Sequence, residues 1–146
     1  MNTDVTEEKT GTPLASHERT QLLELHKTLL RLHKILLEAE REAYEKVHGP
    51  LANRGALLGL VMYDPWFDWL HRISELVVKI DILTESEEAT SEEAHEILKA
   101  GRTLFKASEN GEEDTEFMRR YKSILQREPA SVLAHAEVQK ALLPHA

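Results

Sequence analysis

Met62-Tyr-Asp-Pro-Trp-Phe-Asp-Trp-Leu-His-Arg-Ile-Ser-Glu-Leu-Val-Val-Lys-Ile-Asp-Ile-Leu83 is the stretch whose reading decides the fold of this 146-residue chain. It holds both tryptophans and, with Tyr63 and Phe67, half of the aromatic side chains. Asp64 suits a helix cap, and Pro65 suits the first helical position, where no N–H is needed. Proline also keeps Asp64 out of the α region, as a capping residue requires. At helical spacing Trp66, Trp69, Leu70, Ile73, Leu76, Val77, Ile80 and Leu83 share one face. Asp68, His71, Arg72, Glu75 and Lys79 lie opposite. The pattern predicts one core helix with a wet side, built on an aromatic cluster of Trp66, Phe67 and Trp69.

Upstream, a longer helical pattern runs from Leu14 to about Val47 and stops at His48-Gly49-Pro50. Leu22, Leu25, Leu29, Leu32, Leu36, Ala43 and Val47 form its stripe, widened by Leu23, Leu30 and Leu37. A stripe that broad calls for more than one partner helix. A short helix, Ala56–Tyr63, is expected between the two. Residues 1–13 are polar, lack periodicity and read as a disordered tail before a single domain spanning 14–146.

Downstream, Ser91-Glu-Glu opens a fourth helix with serine as cap and acids in its first turn. Gly101 lies on its apolar face, where a close helix crossing would justify it. A fifth helix covers Thr115–Arg127, with Phe117, Met118, Tyr121, Ile124 and Leu125 inward. A sixth, Ala130–Leu142, offers Val132, Leu133, Ala136 and the adjoining Leu143. No strand alternation and no internal repeat occur. The fold class is all-α: an antiparallel four-helix-type bundle with short additional helices.

The formal charge of −8 is concentrated in Thr84–Glu93 and Glu109–Glu116, which read as two solvated acidic linkers. No basic stripe interleaved with aromatics is present, so nucleic acid is not an expected partner. No apolar run reaches the ~20 residues of a membrane span. The sequence has no cysteine, which removes disulfides, thiolate nucleophiles and thiolate metal sites. The N-terminus resembles neither a secretory nor a transit signal, so a cytoplasmic location is expected.

Asp64-Pro-Trp-Phe-x-Trp-Leu70 followed by Leu76-Val-Val-x-Ile-Asp81 resembles a group of small bacterial all-helical proteins with no assigned function. Leu36–Gly49 and Val132–Val138 are similar too, extending the resemblance over most of residues 20–143. It implies a helical bundle in a bacterial cytoplasm and brings no catalytic residues.

The positions where pattern and chemistry disagree are His26, His33 and Glu40, spaced by seven inside the leucine stripe. A carboxylate on an apolar face is costly unless paired or protonated. Neighbours in this set stand about 10.5 Å apart along the axis, so a shared metal would need ligands from facing helices. His71, Asp81 and His95 are the further candidates, with Glu75 and Tyr121 also in reach. For Glu40 the expected donors are His33, Lys79 and Tyr121. The structural alternative is a polar layer satisfied by hydrogen bonds. Di-iron bundles use Glu-x-x-His pairs. Glu45-Lys-Val-His48 and Glu92-Glu-Ala-His95 match, but composition alone supplies about one such match and neither lies mid-helix. No phosphate-cradling loop or nucleophile elbow is present. The sequence therefore points to a non-catalytic interaction or ligand-binding module needing no cofactor, with a second copy or another protein as partner. The alternative is a ferritin-like or hemerythrin-like metal bundle. Ile82, on the wet side of its helix, marks a candidate partner surface.

Overall fold

The computed structural model describes residues 11–107 and 114–144, and these are helical throughout their core. The helices are α1 (Ser16–His48), α2 (Arg54–Tyr63), α3 (His71–Glu85), α4 (Ser91–Leu104), α5 (Glu116–Arg127) and α6 (Pro129–Leu142). A 3₁₀ segment, Pro65–Leu70, leads into α3. Helices α1, α3, α4 and α6 close a ring of contacts, and α5 packs on α6 and the 3₁₀ segment. Helix α2 rests on the 3₁₀ segment. No helix among the described residues is long and apolar enough to cross a membrane.

The decisive stretch therefore forms a cap, a 3₁₀ turn and an α-helix rather than one continuous helix. Asp64 does cap, accepting from Trp66 N at 2.9 Å, with Pro65 in the first turn. The 3₁₀ winding places residues three apart on one line. Phe67, Leu70 and Ile73 thereby align and are fully buried, while Trp66 swings to the margin and is only half-buried. The expected aromatic cluster is accordingly two clusters. Trp66 and Phe67 meet Tyr44 at ring-centre distances of 5.4 and 5.8 Å. Trp69 instead joins Phe117 at 5.4 Å, and Phe105 and Tyr121 continue that second group.

Three further expectations are corrected. Thr12 and Pro13, the end of the expected tail, are not free: Ser91 N donates to Thr12 O at 2.7 Å, and the adjoining Leu14 N donates to Ala89 O at 3.0 Å, so that Pro13 bridges to Thr90. Thr12 N also donates to Glu92 Oε1 at 3.1 Å. The remainder of the expected tail, residues 1–10, lies outside the described residues. The cap of α4 is Thr90, one residue before the expected serine, in a reciprocal box with Glu93. Part of each acidic linker is built into the fold. Ala89 and Thr90 are buried, and Asp114 is buried against Lys122 Nζ at 2.5 Å. Residues 108–113 of the second linker fall outside the described residues.

Helix α6 shows the largest departure. Its inward face is Ser131, Ala134, Val138, Ala141 and Leu142, whereas Val132, Leu133, Ala136 and Leu143 are exposed. Small residues win the interface because they let α6 lie close along α1, its most extensive neighbour. Ser131 is satisfied by donating to Glu128 O at 2.6 Å, which removes the cost of burying its hydroxyl. The close-crossing expectation at Gly101 holds: a Cβ there would lie 2.8 Å from Leu142 Cδ2.

Candidate functional site

Along α1 the three polar residues of the leucine stripe each meet a different partner. His26 Nε2 stands 2.8 Å from Asp81 Oδ1 on α3, an ion-pair distance at an angle outside hydrogen-bond geometry. His33 Nε2 lies 3.3 Å from Ser74 Oγ. Glu40 Oε2 accepts from Trp69 Nε1 at 2.8 Å. Seven residues forward on α1 are matched by seven back on α3, the signature of two antiparallel helices in register. From Ser74 back to Trp69 only five are needed: the 3₁₀ rise of about 2.0 Å per residue instead of about 1.5 Å makes up about 1 Å over Trp69 and Leu70, and the long indole side chain reaches the rest.

Glu40 is buried, and its donors differ from all three expected. Besides Trp69, Arg120 Nη1 reaches Oε2 at 3.3 Å and Arg127 Nη2 stands 3.7 Å from Oε1. Both arginines come from α5, two turns apart, and Arg120 also donates to Trp66 O at 3.3 Å. The carboxylate thus ties α1, the 3₁₀ segment and α5 at one point. Sequence reasoning missed the arginines because they lie on the wet side of α5 and reach inward along their stems. The indole N–H on the apolar face was the available signal, since a buried tryptophan needs an acceptor.

Burial lowers the pKa of His33 from the ordinary 6.5, and His71 nearby acts in the same direction. His71 Nε2 is 2.8 Å from Val61 O, linking α3 to the end of α2. His95 Nε2 lies 3.2 Å from Glu18 Oε2 at the opposite end of the molecule. Glu18 is held below the usual carboxylate range, first by the Ser91 hydroxyl, then by Ala15 N–H, with His95 and His17 adding to the effect. Tyr121 OH contacts His135 Nδ1 at 2.7 Å, and burial pushes the phenol up and the imidazole down.

Of the candidate residues His26 and Asp81 come together, whereas His33, Glu40, His71 and His95 each sit in a separate contact. Among the described residues no group of three or more His, Asp or Glu side chains could hold a metal ion. The Glu-x-x-His pairs diverge as well: Glu45 takes Arg41 Nη1 at 2.5 Å and Leu51 N at 2.9 Å, while His48 stacks on Tyr44. A cleft of ≈ 470 Å³ beside Trp69 and Arg120 mixes Asp68 and Glu116 with Arg72, offering no single-sign site. A larger cleft of ≈ 750 Å³ between α1 and α6 is likewise mixed, with Glu24 and Glu137 facing Lys27 and Arg31.

What the fold leaves open is an apolar face. Leu23 and Leu30 on α1 are about half exposed, and Val78 and Ile82 on α3 are 53% and 66% exposed. They flank the His26–Asp81 and His33–Ser74 contacts from outside. No residue of α2 is fully buried, and its Leu58, Met62 and Tyr63 are exposed. No family model, no curated protein and no solved structure matches the chain.

Proposed function

We propose that this protein is a non-catalytic helical docking module whose working surface is the outer face of α1 and α3. The observation that carries this reading is the division of labour along α1. Its polar stripe residues are engaged within the fold, while Leu23, Leu30, Val78 and Ile82 stay outside the core on one two-helix face. Those four side chains expose on the order of 400 Å² of apolar surface, the size at which a patch on a monomer is commonly an interaction site. A bacterial cytoplasmic setting belongs to the same reading, as the resemblance of the Asp64–Leu70 segment implies.

Elemental analysis of the purified protein, followed by melting with and without added zinc, manganese or iron(II), tests it against a metal bundle. The docking reading expects substoichiometric metal and an unchanged melting temperature. Stoichiometric metal whose removal lowers the melting temperature would overturn it.

A further inference from the structure

We infer that the partner of this face is a second copy of the chain, seated by a two-fold axis that runs parallel to α1 and α3. The inference rests on the docking reading and supplies its occupant. Helical spacing puts Leu23, Lys27, Leu30, Lys34, Leu37 and Arg41 on the outer ridge of α1, where Lys27 pairs with Glu24 and Arg41 with Glu38 and Glu45, so that Lys34 is the exposed cation with no ion pair among the described residues. The outer ridge of α3 carries His71, Glu75, Val78, Ile82 and Glu85, apolar and acidic with no lysine or arginine. Glu75 is exposed and makes no ion pair among the described residues. The face thus carries an exposed cation, Lys34, on its α1 half and an exposed anion, Glu75, on its α3 half, which is self-complementary for one symmetric arrangement.

Two faces can meet about an axis lying in their plane in two ways. An axis across the helices sets α1 on α1 and α3 on α3, opposing like charges. An axis along them sets α1 of each copy on α3 of the other, opposing unlike charges, and like-charge contacts in an interface are strongly disfavoured. The second arrangement preserves height along the bundle, so the register within one chain fixes the register between copies. His26 is level with Asp81 and His33 with Ser74. Leu30 therefore comes within about 1.5 Å of the height of Val78 of the other copy, and Lys34 within about 3 Å of the height of its Glu75, an offset that the lysine stem spans. Ile82 falls between Leu23 and Lys27 across the axis. Every contact occurs twice, as an isologous interface requires. The ~400 Å² apolar strip supplies about half of the roughly 800 Å² per partner of a standard interface, and the flanking charged side chains supply the rest.

Sedimentation equilibrium on the full-length chain tests the pairing, with circular dichroism reporting that each variant is folded. The wild type is expected to show a concentration-dependent shift from 16.7 kDa towards twice that mass. Leu30→Asp should abolish the shift. Lys34→Glu alone and Glu75→Lys alone should each weaken association by roughly tenfold, since each reversal acts at two symmetry-related places. The double reversal should restore it to within about threefold. A wild type that stays monomeric at hundreds of micromolar overturns the inference, as do a dimer indifferent to Leu30→Asp and a double reversal that fails to rescue. A Lys34→Glu variant that dimerises more tightly would place α1 on α1 and overturn the pairing. Failure of the docking reading would look different, because the purified protein would then carry stoichiometric metal whose removal lowers its melting temperature.

Discussion

Replacing Glu40 with leucine should destabilise the protein more than replacing it with glutamine. Burial alone would suggest the reverse, because leucine suits an apolar stripe. The difference lies in Trp69, which is 6% exposed and whose Nε1–H is met by Glu40 Oε2 at 2.8 Å. Glutamine can still present a carbonyl oxygen to that donor. It loses the charge-assisted part of the bond and the contacts to Arg120 and Arg127, which are 39% and 45% exposed and so well screened. A cost of about 1–2 kcal/mol follows. Leucine leaves the indole N–H buried without an acceptor, at about 1–3 kcal/mol, and loses the same arginine contacts. Its better transfer energy returns only about 1 kcal/mol against that. Urea unfolding followed by far-UV circular dichroism measures each variant. The decisive arm adds Trp69→Phe, which removes the donor. Glu40→Leu should then cost less in the Trp69→Phe background than in the wild type, a coupling of about 1–2 kcal/mol. A Glu40→Leu variant as stable as wild type, or a coupling indistinguishable from zero, would refute the role assigned to this contact.

Phe67→Ala should cost ~3–5 kcal/mol in chemical unfolding and exceed Trp66→Ala, because the 3₁₀ turn buries Phe67 completely and Trp66 only in part. Gly101→Ala should lower stability by about 1 kcal/mol despite its better helix propensity, since the new Cβ meets the buried Leu142 side chain at 2.8 Å. Adding Leu142→Val should recover much of that loss. Urea midpoints should fall as pH drops below 6.5, because burial lowers the pKa of His33 and of His135. The unfolded chain then binds more protons than the folded one, so stability rises with pH through this window and is complete above it. His33→Asn should flatten that slope; a slope of opposite sign would contradict the burial of these imidazoles.

Much of the fold is written locally. The leucine stripe of α1, the glycine stop at Gly49 and the Asp64-Pro65 cap each announce themselves by a residue type with one physical use. The 3₁₀ winding of Pro65–Leu70 is not legible in this way, since the same apolar residues satisfy either helix period and packing against Tyr44 and Phe117 selects the tighter one. The inward face of α6 is hidden for a related reason. Its larger residues point out, and only proximity to α1 makes Ser131, Ala134 and Ala141 the better face. At the candidate site the odd placement of His26, His33 and Glu40 is visible from spacing alone. Their separate partners are not, because the register of α3 against α1 is a tertiary fact. The arginines on Glu40 reach it along flexible stems that no periodicity records.

Leu29 and Leu30 are chemically identical neighbours assigned opposite roles, the first fully buried and the second 48% exposed on the docking face. Their alanine variants, unfolded with urea at dilution where sedimentation shows the monomer, compare the core with the surface proposed to bind. Leu29→Ala should lose ~2–5 kcal/mol, while Leu30→Ala should stay within about 0.5 kcal/mol of wild type. A Leu30→Ala loss comparable to that of Leu29→Ala would show that the α1–α3 face is spent on the fold, leaving no surface there for a partner.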